Sequence, residues 1–124
     1  MSVDEIKALV MRFFDEQWNK GNVDIIDELC APNFTFSEAG RVQGGREELK
    51  QRILMLRNIS PDLQINVQEI IVEGNQVALC YTLDGTFEGR HSLFAGAVIA
   101  HIVDGKFVTY WFVDKEVIPG QRQT

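Results

Sequence analysis

Cysteine, proline and long apolar runs are all scarce in this chain of 124 residues. Its two cysteines, Cys30 and Cys80, have no CxxC partner and no histidine at ligand spacing, so we predict two small core side chains rather than a disulfide framework or a metal site. The apolar run over 95–100 is far shorter than the roughly 20 residues of a membrane helix. Residues 1–5 lack the basic and apolar stretches of a secretory signal. We therefore expect a cytoplasmic protein that does not associate with membranes.

Positively charged residues are also in the minority. Twelve Lys and Arg stand against eighteen Asp and Glu, a net charge of -6, and no basic cluster interrupts that balance. A phosphate backbone would be repelled on average, so we expect no nucleic-acid partner. The remaining composition, 45% hydrophobic and 24% charged, is typical of a globular protein, and the length predicts a single domain over 1–124. The segment 44–46 lacks the Lys-Ser/Thr of a phosphate-binding loop, and no Ser-His-acid order can be assembled. We expect neither a metal nor a cofactor.

Helical periodicity is clear in three segments of the first half of the chain. Ser2 and Glu5 have the spacing of a capping box, and the apolar residues that follow recur every three or four positions, up to a predicted C-cap at Gly21. Further helices are predicted over 23–30 and 46–58. The residues that we predict to be buried in the first two helices are Ile6, Val10, Phe13, Phe14, Trp18, Ile25, Ile26 and Leu29.

Alternating apolar and polar residues predict one early strand and a later set of strands. In the segment 33–38, this alternation puts Phe34, Phe36 and Glu38 on one face, which places a carboxylate in an aromatic row. A glycine-rich loop is predicted over 39–45. An α-α-β-α order followed by an antiparallel, strongly curved sheet predicts an α+β domain whose helices cover one sheet face and leave an enclosed space. The later strands are predicted over 63–68, 77–83, 93–103 and 106–113.

The Asp104-Gly105 pair fixes the pairing of the last two strands if it forms a two-residue hairpin turn. One face then combines small alanines with the polar atoms of His101, Tyr110 and Asp114, the composition of a ligand pocket. Both faces are apolar, so we expect a second copy of the chain to cover the outer one, giving a homodimer. Stepping outward from the turn, the predicted pairs are Val103 with Lys106, His101 with Val108, Ile99 with Tyr110, Ala97 with Phe112, and Ala95 with Asp114.

Five short segments, spread over nearly the whole chain, carry a family resemblance. They are Phe13 to Asn22, Leu29 to Phe34, Gly44 to Leu49, Gly85 to Gly89, and Asp104 to Phe107 with Trp111 and Asp114. In these segments the chain resembles the nuclear-transport-factor-2-like (cystatin-like) fold, and within it the SnoaL-like polyketide cyclases and the ketosteroid isomerases. The resemblance implies a cone-shaped pocket between the helices and a bent sheet, and a homodimer. It does not choose a reaction, because this fold hosts isomerases, dehydratases, cyclases, epoxide hydrolases and binding modules.

The site residues that the resemblance implies differ between the two families. The isomerases use a carboxylate base at the end of the first strand, which corresponds to Glu38, but their two oxyanion donors correspond to Phe14 and Ile99, so steroid isomerisation is not expected. The SnoaL-like cyclases use an acid/base Asp on the last strand, matched here by Asp114. Phe87 stands where those cyclases often have a histidine. Asp114 is thus selected both by the resemblance and by the hairpin register.

These patterns predict a pocket for a small, largely apolar molecule that bears a carbonyl group, with cofactor-independent acid/base chemistry. Asp114 is the predicted acid/base, and Glu38 is a second carboxylate. Aldol cyclisation, dehydration and isomerisation are all within reach of such a pair. The other residues predicted to line the pocket are Phe14, Trp18, Phe34, Phe36, Ile99, His101, Tyr110 and Phe112.

Each of these assignments has a structural alternative. Asp114 could be a solvated residue at a strand end, and Glu38 could be a solvated charge at the head of the loop. His101 could be a hydrogen-bonded core histidine, and Tyr110 could place its hydroxyl at the sheet edge. If the aromatic side chains of the first helix fill the enclosed space, the protein is a non-catalytic ligand-binding or dimerisation module of the same fold.

Overall fold

A computed structural model of the chain describes residues 1–119. Within these residues the strands form one six-stranded sheet of order β2-β1-β6-β5-β4-β3, in which every neighbouring pair is antiparallel except β1 with β6. This curved, mixed sheet with helices confirms the predicted α+β class. The elements are α1 (Val3–Phe14), a π-helical segment that we call the π-turn (Asp15–Asn19), α2 (Asp24–Leu29), β1 (Cys30–Glu38), β2 (Arg41–Gly44), α3 (Arg46–Ile59), β3 (Gln64–Glu73), β4 (Gln76–Phe87), β5 (Arg90–Val103) and β6 (Lys106–Glu116).

Helix α1 begins with the predicted capping box. The Glu5 backbone N–H donates to Ser2 Oγ at 3.1 Å, and the Ser2 N–H donates to Glu5 Oε1 at 2.9 Å, so two donors of the first turn are satisfied. The apolar side of the helix packs on the sheet, where the Phe13 ring stacks on Phe107 with centroids 4.3 Å apart. No helix within residues 1–119 is both long enough and apolar enough to cross a membrane.

Helix α1 widens into the π-turn before it ends. The Lys20 backbone N–H donates to the Asp15 carbonyl, five residues earlier, at 3.1 Å, and such a turn accommodates one residue more than an α-helical turn. Gln17 and Trp18 are both buried within it. Gly21 follows with φ +69°, the left-handed conformation predicted for the C-cap.

The prediction of a loop over 39–45 is wrong, because most of this segment belongs to a β-hairpin. Ala39 and Gly40 reverse the chain with φ values of +50° and +86°, and β2 then pairs antiparallel with the end of β1. Strand β2 lies at the edge of the sheet and most of its side chains are exposed. It therefore has no apolar alternation from which a strand could be predicted.

The two cysteines lie in different environments. Cys30, the first residue of β1, is buried, and burial raises the pKa of its thiol to about 12, so it is an unreactive core side chain. Cys80 is half-buried on the outer face of β4, opposite Ala97, because alternation turns Leu79 and Tyr81 inward. The core prediction is confirmed for Cys30 and wrong for Cys80.

The β5–β6 hairpin follows the predicted register for only the first residues after its turn. Val103 pairs with Lys106 as predicted. A β-bulge then leaves Val108 without a partner, so that His101 pairs with Thr109. A hairpin turn sets the register only as far as the first bulge, because the bulge places two residues opposite one.

The bulge changes which side chains of β5 lie on the same face of the sheet as Tyr110, Phe112 and Asp114 of β6. Tyr110, Phe112 and Asp114 point to the inner face, on which the helices pack, whereas Ile99 and His101 lie on the outer face. The prediction that Ile99 and His101 line the pocket is therefore wrong. The observed pairs beyond the bulge are Ala100 with Tyr110, Ile99 with Trp111, Val98 with Phe112, Ala97 with Val113, and Gly96 with Asp114.

Candidate functional site

A cavity of about 240 Å³ lies between α3, the π-turn and the inner face of the sheet. It exceeds the ~150 Å³ that accommodates benzene and falls below the ~300 Å³ at which drug-sized sites begin, so it suits a molecule of about one or two rings. Most of its wall is aliphatic or aromatic. Its five polar side chains are Glu38, Arg52, Tyr81, Tyr110 and Asp114.

Asp114 lies on the cavity wall near the end of β6. The Tyr81 hydroxyl donates a hydrogen bond to Asp114 Oδ2 at 2.7 Å, so the half-buried carboxylate is anchored through one of its two oxygens. Burial raises the pKa of Tyr81, and the neighbouring Tyr110 and the bond to Asp114 raise it further. Burial and then the Asp114 charge raise the pKa of Tyr110 as well. Both hydroxyls therefore stay protonated at neutral pH, and the Tyr81 proton is the one donated to Asp114.

Glu38 takes part in an ion pair at one side of the cavity. Its Oε1 lies 3.1 Å from Arg52 Nη1, and the Arg52 side chain is 25% exposed. The guanidinium carbon of Arg52 lies 5.4 Å from the Phe36 ring centroid and 5.3 Å from that of Phe112, distances at which a cation is attracted to an aromatic face. The Glu38 side chain is 44% exposed, so Glu38 is a partly solvated carboxylate paired with Arg52 and not an isolated buried base.

The predicted aromatic wall is only partly in contact with the cavity. Trp18 and Phe112 line it. Phe14, Phe34 and Phe36 are buried behind the wall, where Phe14 packs against the Tyr110 ring at 5.9 Å and Phe34 stacks on Phe36 at 6.4 Å. These three side chains support the residues that line the cavity, and the space between helix and sheet is not completely filled.

His101 lies outside this site. On the outer face its Nδ1 is 3.2 Å from Thr109 Oγ1, in an exposed position. His101 is therefore neither a pocket residue, as predicted, nor a buried core histidine, which was the alternative prediction.

Sequence reasoning missed Tyr81 and Arg52, although both had a detectable signal. Tyr81 occupies an inward position in the alternation of β4, between Leu79 and Leu83. Arg52 lies three positions after Leu49, on the apolar side of α3, where an arginine is unusual unless it has a partner. Phe87 and Phe94, which also line the cavity, form an edge-to-face pair with centroids 5.8 Å apart.

Buried side-chain polar atoms without a hydrogen-bond partner are few in the part of the chain that the structure describes. Gln17 Oε1 and Trp18 Nε1 are buried there and have no hydrogen-bond partner, and both belong to the π-turn. Among residues 1–119, no three His, Cys, Asp or Glu side chains are grouped closely enough to hold a metal ion.

One known family matches the chain over most of its length. A model described as SnoaL-like polyketide cyclase matches residues 8–118. The chain belongs to this family. The predicted SnoaL-like assignment is therefore confirmed, and the match includes every helix and strand that contributes to the cavity. No curated protein sequence matches this SnoaL-like chain.

Solved structures show the same fold. TsrD from Streptomyces laurentii superposes with a TM-score of 0.82 at 21% identity, covering 93% of this chain and 91% of its own. AclR, a proposed hydroxylase from Streptomyces galilaeus, has a TM-score of 0.81 at 23% identity, and the match covers 92% of this chain and 91% of AclR. IdmH, a proposed polyketide cyclase from Streptomyces antibioticus, has a TM-score of 0.78 at 21% identity, and the match covers 88% of this chain and 91% of IdmH. At these identities the likeness establishes the fold of this SnoaL-like protein and no specific activity.

Proposed function

We propose that this SnoaL-like protein binds a small apolar carbonyl compound and catalyses acid/base chemistry on it without a cofactor, with Asp114 as the acid/base. The supporting observation is that Asp114, anchored by Tyr81 at 2.7 Å, lines a largely apolar cavity. A carboxylate in such a place is within reach of a molecule bound in the cavity and can exchange a proton with it. The family to which the chain belongs is consistent with this chemistry.

An aldol cyclisation with Asp114 as the acid/base balances in bonds and protons. Asp114 takes a proton from the carbon next to a carbonyl, and the C–H electron pair moves toward the carbonyl oxygen to give an enolate. The enolate carbon attacks a second carbonyl of the same molecule, forming a C–C bond and an alkoxide. The alkoxide takes the proton back from Asp114, so the carboxylate is restored. Dehydration and isomerisation share the first step and differ in where the proton is returned.

Glu38 serves this site through Arg52. Their ion pair of 3.1 Å holds the guanidinium over the Phe36 and Phe112 rings. A positive charge at the cavity wall stabilises negative charge that develops on a substrate oxygen. Glu38 is therefore proposed as a positioning carboxylate rather than as a second proton acceptor.

A non-catalytic binding module is the second candidate. It is favoured by one observation: both carboxylates of the cavity already have a hydrogen-bond partner within the protein. Glu38 accepts from Arg52, and Asp114 accepts from Tyr81. In that case the polar groups orient a ligand and carry out no proton transfer.

Ligand binding and turnover separate these two functions. The Trp111→Phe variant leaves Trp18, on the cavity wall, as the sole tryptophan, so its fluorescence reports occupancy during titration with cyclic ketones and polyketide-like aromatic compounds. We expect quenching by a ligand that is also converted, and we expect Asp114→Asn to bind it within a few-fold but to lower turnover by about 10²- to 10⁴-fold. Asp104→Asn makes the same chemical change in the β5–β6 turn and should leave turnover unchanged.

Two results would contradict the proposal. Unchanged turnover in Asp114→Asn would remove Asp114 from the chemistry. Quenching by several ligands with no conversion of any of them would favour the binding module.

A second copy of the chain is the proposed partner of the outer sheet face. We define the outer patch as Ile71, Ala78, Ile99, Trp111 and Val113, of which the first four form one row across β3, β4, β5 and β6. Ile71, Ile99 and Val113 are 65%, 47% and 40% exposed. A continuous apolar row of this kind is stabilised when an identical row covers it. The cytoplasmic location stays a prediction.

A further inference from the structure

Tyr81 and Asp114 belong to strands that are not neighbours in the sheet. Strand β5 lies between β4 and β6, and its residue Gly96 pairs with Tyr81 on one side and with Asp114 on the other. Two strand spacings separate the backbones of the pair, about 10 Å in total. The Tyr81 ring spans that distance over the inner face of Gly96, and its hydroxyl reaches Asp114 Oδ2 at 2.7 Å.

Gly96 leaves the space through which this contact is made. A Cβ atom at position 96 would lie 2.6 Å from the Tyr81 hydroxyl oxygen and 2.6 Å from Asp114 Cβ, closer than real side chains approach. The backbone of Gly96 is not in the left-handed region, unlike that of six other glycines among residues 1–119. Glycine is therefore required here for the room it leaves and not for its conformational freedom.

We propose that Tyr81 is a positioning residue for Asp114, and that Gly96 is the residue that allows the two side chains to meet. This inference rests on the proposed function. The hydroxyl occupies Oδ2 and fixes the carboxylate plane, so Oδ1 is left to exchange a proton with the bound molecule. A carboxylate near a strand end has rotational freedom of its own, and a displacement of about 1 Å at a reacting atom costs up to about 100-fold in rate.

The first test is a pair of variants with a matched control. Tyr81→Phe keeps the ring and removes the hydroxyl, whereas Gly96→Ala keeps both side chains and fills the space between them. We expect each to lower kcat by about 10- to 100-fold while ligand affinity, read from Trp18 fluorescence, changes by less than about threefold. Thr82→Val, which removes a hydroxyl from the opposite face of β4, should leave both quantities unchanged. A KM increase with an unchanged kcat in Tyr81→Phe would overturn the proposal.

The second test does not depend on activity. In a crystal structure of Tyr81→Phe, we expect the Asp114 carboxylate to adopt a second rotamer or to divide between two. In Gly96→Ala, we expect the Tyr81 hydroxyl to lie more than about 3.5 Å from Asp114, beyond hydrogen-bond range. An Asp114 side chain that keeps its single conformation in Tyr81→Phe overturns the proposal even if no substrate is found. Turnover that depends on Asp114 and is unaffected by Tyr81→Phe overturns it and leaves the proposed function standing.

Discussion

Asp62 shows how one exposed carboxylate can join two parts of the fold. Its oxygens accept hydrogen bonds from the Thr86 backbone N–H at 2.9 Å, the Thr86 hydroxyl at 2.8 Å and the Ser60 hydroxyl at 3.1 Å. The end of α3 is thereby tied to the far end of β4. The Thr86 N–H, followed by its hydroxyl, lowers the pKa of Asp62 to about 2.

The lowered pKa predicts a pH-dependent contribution to stability. Because the folded-state pKa lies below the unfolded value of 3.8, the contribution is present above about pH 4 and is lost as the pH falls toward 2. Asp62→Ala should therefore lower the Tm at pH 7, and its difference from the wild type should shrink between pH 4 and pH 2.5. Thermal unfolding at several pH values measures this difference. Glu73→Ala, at an exposed strand end, is the control, and a gap for Asp62→Ala that stays constant with pH would contradict the assignment.

The side chain of Asn19 attaches the π-turn to the edge strand β3. Asn19 is the last residue of the π-turn, and its amide bonds to both backbone groups of Ile65 on the edge strand β3. The Ile65 N–H donates to Asn19 Oδ1 at 2.7 Å, and Asn19 Nδ2 donates to the Ile65 carbonyl at 3.2 Å. The amide thus takes the place that a further strand would occupy.

Removing this amide should loosen the helix from the sheet. Asn19→Ala leaves two part-buried backbone groups of Ile65 without partners, and we expect a loss of about 1–3 kcal/mol in the free energy of unfolding. Asn66→Ala, an exposed asparagine of the same strand, should change it by less than about 0.5 kcal/mol. Urea denaturation measures both variants. Equal losses in the two would show that the bonds to Ile65 contribute nothing.

Elements with one buried and one exposed side were predictable from sequence, and irregular ones were not. The periodicity of α1 and the alternation of β3 to β6 gave the helices and the antiparallel strands, because burial on one side leaves a repeat in the sequence. The bulge at Val108 and the exposed strand β2 leave no such repeat. Asp114 and Tyr110 were placed on the inner face, but through a register that was wrong for β5. Ile99 and His101 were misplaced for that reason.

The outer patch makes the whole molecule a candidate for self-association. Ile99→Lys puts a charge in the middle of its apolar row, and we expect a homodimer to become a monomer, because burying an unpaired charge is costly. Leu54→Lys changes an equally exposed residue, 51% against 47%, on α3 away from the patch, and should leave the dimer intact. Sedimentation velocity over a range of protein concentrations distinguishes the two. A wild-type protein that sediments as a monomer throughout would contradict the proposed partner.

The position of β6 also has a consequence for the order in which the molecule assembles. Among residues 1–119, this strand follows the other five in sequence, yet it lies inside the sheet between β1 and β5. Its parallel pairing with β1 joins residues as distant along the chain as Phe36 and Tyr110. Such a contact forms late, because a long loop must close first. On the ribosome, Asp114 therefore reaches its cavity only after the helices and the other strands have been synthesised. A prematurely terminated chain would expose two open strand edges and lack Asp114, so we expect it to be removed as an aggregation-prone fragment.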